Sequence, residues 1–83
     1  MLLGKVKGSV VSTRKNEKLV GSKFTIVELL DKSKIVAVDN IGAGIGDYVL
    51  VVIGSAARKA GNLADAPVDA AIVGIVDEPS SLG

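Results

Sequence analysis

Apolar and polar residues alternate from the start of the chain. Leu2, Gly4, Val6, Gly8 and Val10 fall on one side, and Lys5, Lys7 and Ser9 on the other. A period of two marks a strand with one buried face, here over residues 2–12. Gly4 and Gly8 on the apolar side leave room for a close backbone neighbour or for the strong bending a small barrel needs. Residues 13–22 are polar and basic and read as a long connection. A second strand is predicted over residues 23–30, with Phe24 and Ile26 on one face, Val27 and Leu29 on the other, and Phe24 in the core. Residues 31–34 are a turn, residues 35–39 a third strand, residues 40–46 a glycine loop and residues 47–53 a fourth strand. Ser55 is placed to cap a short helical turn running through Arg58 and Lys59. After a loop at residues 61–67, a fifth strand spans residues 70–76 and Pro79 stops it. Five short strands with little helix predict an all-β fold: a small five-stranded OB-like β-barrel with one short helical turn. No linker, low-complexity segment or internal repeat interrupts residues 1–83, which read as a single domain.

Composition narrows the chemistry. A chain of 83 residues buries only about 60% of its unfolded surface, so association would help it. Its apolar content of 48% is high for so small a domain, which places some apolar surface in a subunit interface. There is no cysteine, hence no disulfide or thiolate site, and no histidine, the commonest general base and metal ligand. No leader is expected, since Met1-Leu2-Leu3 is followed at once by Gly4 and Lys5. The apolar run at residues 48–53 falls far short of the roughly 20 residues that span a bilayer, so no membrane partner is expected. Net charge is +1, but residues 1–34 hold eight Lys/Arg against three Asp/Glu, and residues 35–83 hold two against six. A basic face and an acidic edge would suit a head-to-tail assembly; an ordinary solvated surface explains the same counts.

The glycine loop Gly42-x-Gly44-x-Gly46 does not match a dinucleotide fingerprint. Its third glycine comes one residue early, a strand follows instead of a helix, and no Walker lysine is present. Its glycines are expected to take positive φ or to pack closely on a neighbour. An OB-like barrel also suggests a nucleic-acid-binding module, with Lys5, Lys7, Arg14, Lys15 and Lys18 on phosphate. Single-strand binders stack bases on aromatic platforms, and this chain has one Phe, one Tyr and no Trp. The candidate acids Asp39, Asp47, Asp69 and Asp77 sit at strand ends or turns, where carboxylates cap backbone amides. With no base, nucleophile or ligand cluster beside them, no catalytic residue, cofactor or metal is expected. Arg58 is either solvated or makes a bidentate contact across an interface, with Asp39, Asp69 or Asp77 as its partner.

Four segments in order carry a resemblance: Gly8-Ser9-Val10-Val11-Ser12-Thr13, Leu19-x-Gly21-x-Lys23, residues 36–58, and residues 67–77. Together they resemble the EutN/CcmL family, the pentameric vertex proteins of bacterial microcompartment shells. Asp47 stands where many members carry Glu. The resemblance implies an OB-like barrel that assembles as a ring, a homopentamer capping the five-fold vertices of a polyhedral shell in the cytoplasm and limiting leakage of intermediates. It implies hexameric and pseudohexameric shell proteins as partners, no nucleic acid and no enzyme activity. Gly54, Ser55 and Ala56 would line a narrow pore on the five-fold axis. Ile41, Gly42, Ala43, Gly44, Ile45, Gly46 and Arg58 would lie in or near the subunit interface. On this reading Gly54→Val or Ser55→Trp crowds the axis and leaves the barrel intact.

Overall fold

A computed structural model of the protein describes residues 1–10, 23–60 and 69–77, without the side chains of residues 58–60. The expected connection at 13–22, the loop at 61–67, the stop at Pro79, the side chain of Arg58 and the basic residues Arg14, Lys15 and Lys18 lie outside the described residues. The elements are β1 (Leu2–Val10), β2 (Phe24–Leu29), β3 (Lys34–Asp39), β4 (Tyr48–Ile53), a helix α1 (Ser55–Ala60) and β5 (Ala70–Val76). They close into a barrel in the order β1-β2-β3-β5-β4, with β4 returning to β1. All pairings are antiparallel except the short β3–β5 contact, Val38↔Ala71 and Asp39↔Ile72.

Alternation within each strand divides the apolar residues into two layers. The barrel interior is filled by small and β-branched side chains, including Val6, Val27, Ala37, Val49, Val51, Ala70 and Ile72. Such residues suit the narrow lumen of a small barrel, and Leu2, Leu29 and Ile35 pack against this layer, partly buried. On the outer face Val38, Ala57 and Ala71, with Phe24 and Val52, form a second cluster under α1. Phe24 is thus half-buried beneath the helix and not in the barrel lumen.

One expected face is overturned. β1 slips by one residue between Val6 and Gly8: Val6 faces Val27, yet Gly8 faces Ile26. Lys7 is the extra residue of a β-bulge, and a one-residue slip moves every later side chain to the opposite face. Val10 therefore pairs with Phe24 on the outside instead of joining Leu2 and Val6 within. Residues 30–32 form the β2–β3 turn, closed by Leu29 N–H to Ser33 O (2.8 Å) and Lys32 N–H to Leu29 O (3.0 Å), with Lys32 at φ 73°. That pattern, a tight turn ending in a left-handed residue, is a common three-residue hairpin. It leaves Leu30 in the turn and exposed, not in β2 as expected.

The two glycines of β1 look alike in the sequence and differ in the fold. A methyl group on Gly4 would collide with the Val27 side chain and come within 2.9 Å of the Glu28 carbonyl oxygen. One on Gly8 meets nothing within 4 Å. Gly4 thus has no room for a side chain against β2, and Gly8 does. Gly4→Ala is expected to destabilise the protein by about 1–3 kcal/mol, the usual range for overpacking, and Gly8→Ala by much less. Denaturant unfolding of both variants at one fixed protomer concentration checks this, because assembly makes apparent stability depend on concentration.

Candidate functional site: the glycine loop and the Gly54 corner

The glycine loop leaves the end of β3, and the last residue of β3 organises it. The Asp39 carboxylate is buried and accepts three backbone hydrogen bonds. Oδ1 takes the N–H groups of Ile41 (2.8 Å) and Gly42 (2.9 Å), and Oδ2 takes that of Ala43 (2.8 Å). Lys23 closes the cage. Its Nζ lies 3.5 Å from Asp39 Oδ2 and donates to the Ala43 carbonyl at 3.0 Å, while Asp39 N–H donates to Lys23 O at 2.8 Å. Gly42, at φ 95°, takes a backbone conformation that other residues rarely adopt. Ala43 packs its methyl into the barrel interior and anchors the loop from below.

The far side of the loop is tied in the same manner. Asp47 Oδ2 accepts the Gly44 N–H at 2.8 Å, and Asp47 N–H donates to Gly44 O at 3.0 Å. Gly46 N–H then reaches Val6 O (2.9 Å), and Val6 N–H reaches Asp47 O (2.9 Å), fastening the loop to β1 beside its bulge. Asp39 and Asp47 thus cap backbone amides, as their positions suggested. Ile41 and Ile45, 51% and 75% exposed, stand outward from this frame.

Burial alone would raise the pKa of Asp39. The amides of Gly42, Ile41 and Ala43, with the Lys23 charge, outweigh that and hold it below its ordinary value of 3.8. A carboxyl depressed by folding stabilises the native state above its unfolded pKa, and the gain disappears as pH falls through the folded value.

The Gly54 corner lies at the end of β4. Gly54 has φ 70°, its N–H donates to Asp69 O at 2.8 Å, and its carbonyl accepts the Ala57 N–H at 3.1 Å. Gly54 therefore opens the helix, and Ser55, expected as its cap, is its first residue. Gly54, Ser55 and Ala56 are all exposed on the protomer. The positive φ also changes one expectation: Gly54→Val would strain the backbone by about 1–3 kcal/mol, so it is no clean probe of assembly.

No group of three or more His, Cys, Asp or Glu able to hold a metal occurs among the described residues. Neither aromatic is free as a base platform: Phe24 packs under α1, and Lys5 Nζ sits 5.5 Å from the centre of the Tyr48 ring. Among the described residues no helix is long and apolar enough to cross a membrane. Sequence reasoning placed the loop but missed Lys23 as its clamp; the only signal was a lysine at the edge of β2, indistinguishable from the other basic residues nearby.

The described residues define a small closed five-stranded barrel of OB type with two corners built from backbone geometry. The chain matches the family described as "Ethanolamine utilisation protein EutN/carboxysome" over residues 1–77, and it belongs to that family. It is 49% identical to the bacterial microcompartment shell vertex protein GrpN of Rhodospirillum rubrum, over 93% of this chain and 93% of the relative. It is 43% identical to the shell vertex protein EutN of Escherichia coli, over 100% of this chain and 94% of the relative. Its fold superposes on the solved GrpN pentameric microcompartment shell protein from Rhodospirillum rubrum with a TM-score of 0.85, at 49% identity, covering 94% of this chain and 95% of that one. For CcmL of Gloeobacter violaceus the TM-score is 0.87, at 41% identity, covering 93% and 86%.

Asp39→Asn keeps the shape and removes the charge. At pH 7 it is expected to lower stability by about 2–3 kcal/mol, since a buried hydrogen-bonding set loses its charged acceptor. The wild-type protein should lose stability as pH falls below about 4, and the variant should show a smaller slope there. Thermal unfolding of both proteins from pH 3 to 7 measures the difference.

Proposed function

We propose that this protein is a structural component of a bacterial microcompartment shell. Residues 1–83 act as one vertex domain, and five copies form a ring that closes the five-fold corners of the polyhedron in the cytoplasm. The observation that carries this reading is the match along nearly the whole chain to shell vertex proteins, one of them a solved pentamer. A flat hexagonal sheet cannot curve into a closed polyhedron without five-fold positions, and a ring of five supplies them. The partners are then further copies of this chain and the hexameric and pseudohexameric shell proteins that tile the facets. The role is to seal, without catalysis and without a cofactor. The nucleic-acid reading has no support, since both aromatics are engaged within the protomer.

In the ring, Gly54, Ser55 and Ala56 line the central opening, and small residues there let five copies converge. The segment Ile41–Gly42–Ala43–Gly44–Ile45–Gly46 and Arg58 contribute to the subunit contact. Ala43 adds backbone alone, because its side chain is buried in its own barrel. A head-to-tail contact of this kind makes a closed ring when its rotation divides the circle.

Native mass spectrometry should show a dominant species of five protomer masses; a monomer across micromolar concentrations contradicts the proposal. Ser55→Trp should leave the barrel folded by circular dichroism while disrupting the ring or narrowing its pore. Ser55→Trp rings with wild-type pore geometry would remove these residues from the axis.

A further inference from the structure

A ring built head to tail needs two different surfaces that fit each other. The glycine loop with Ile41 and Ile45 is one; the protomer also presents a candidate for the other. β5 begins only at Ala70 and pairs with β3 only from Val38 onward, so among the described residues no strand lies beside the earlier part of β3 on its side away from β2. An open groove of about 570 Å³ occupies this gap, lined chiefly by Ile35, Val36, Ile53, Gly54 and Asp69. Val36 and Ile53 are 49% and 53% exposed.

The backbone of β3 also turns polar groups toward the groove. Asp39 N–H bonds to Lys23 O and Leu29 N–H to Ser33 O, and bonding alternates along an antiparallel ladder. The N–H and C=O of Val36 therefore point away from β2, into the gap. Apolar walls suit an entering loop that carries exposed apolar side chains, and the Val36 N–H can donate to a loop carbonyl.

We infer that this groove receives the Ile41–Ile45 loop of the next copy of this chain, with Ile41 seated against Ile53 and Val36. The inference rests on the pentameric reading above and names its interface. Charge complementarity selects this occupant. The groove carries the exposed carboxylate of Asp69, which makes no side-chain hydrogen bond among the described residues. The loop carries the Lys23 ammonium at its base, 48% exposed, with two of its three donors directed at Ala43 O and Asp39. The third is available to a partner carboxylate. The cage around Asp39 then has a purpose beyond its own protomer: it holds the loop in a fixed shape before docking, so little ordering cost remains at assembly.

The chain contains no cysteine, which makes the test direct. Within one protomer, Ile53 ends β4 and Ile41 lies in the loop just after β3, with β5 between those two strands, so the positions are separated by at least about two strand spacings, ~10 Å. A disulfide requires Cα atoms within about 7 Å, so a bond between cysteines at these positions must join two copies. The full-length double variant Ile41→Cys/Ile53→Cys, oxidised and run without reductant, should give a ladder up to five protomers that collapses on reduction. Each single variant should stay monomeric on the same gel, because in a head-to-tail contact neither position meets itself. Val36→Cys/Ile41→Cys tests the opposite wall and serves if Ile53→Cys perturbs folding by circular dichroism. Pentamers in native mass spectrometry with no cross-linking beyond the single variants, in both pairs, overturn this interface and leave the pentamer standing. Monomers in native mass spectrometry overturn both.

Discussion

The fold turns on one buried carboxylate. Asp39 ends β3 inside the protein, where burial should favour its neutral form, yet three successive amides and one ammonium keep it charged. Those amides belong to the glycine loop, which is too short in side chains to hold its own shape. A loop of this kind would otherwise sample many conformations, since glycine loses more freedom on folding than any other residue. The carboxylate replaces side-chain packing with backbone hydrogen bonds, and Ala43 supplies the one apolar anchor. The consequence is a rigid projection with Ile41 and Ile45 on its surface.

The same division of labour recurs across the molecule. The lumen is filled by Val and Ala, giving a narrow, dense barrel with little chemistry in it. Gly4 lets β1 and β2 close tightly, the bulge at Lys7 turns the end of β1 outward, and Gly54 turns β4 into α1 without a side chain at the corner. Val36, Ile41, Ile45 and Ile53 are apolar and exposed on the protomer, and the interface proposed above would bury them between subunits. A shell vertex has to be rigid and close-fitting, and nothing in that role calls for a nucleophile or a base.

Much of this was legible in the residues. Alternation at β1 and the apolar runs of β3, β4 and β5 marked the strands, and the missing histidine and cysteine removed most enzymology in advance. The glycine loop and the Gly54 corner stood out because their glycines cluster between apolar runs. The bulge at Lys7 was hidden, because Val6, Gly8 and Val10 continue the alternation that the fold breaks. The difference between Gly4 and Gly8 was also hidden, since it depends on how near β2 passes. Lys23 as the loop's clamp could not be separated from other lysines, because its role comes from the β2–β3 pairing that places it beside Asp39. That β5 pairs with β3 only from Val38 onward likewise follows from barrel stagger and not from local pattern.

The central claim, that this protein closes the five-fold corners of a shell, is tested most directly by imaging. Hexameric microcompartment shell proteins would be produced with and without this chain and examined by cryo-electron microscopy. The account predicts closed polyhedra with density for five copies of the barrel at each vertex when the protein is present, and open or unsealed shells when it is absent. Vertices fully occupied in its absence, or shells that close without incorporating it, would contradict the account.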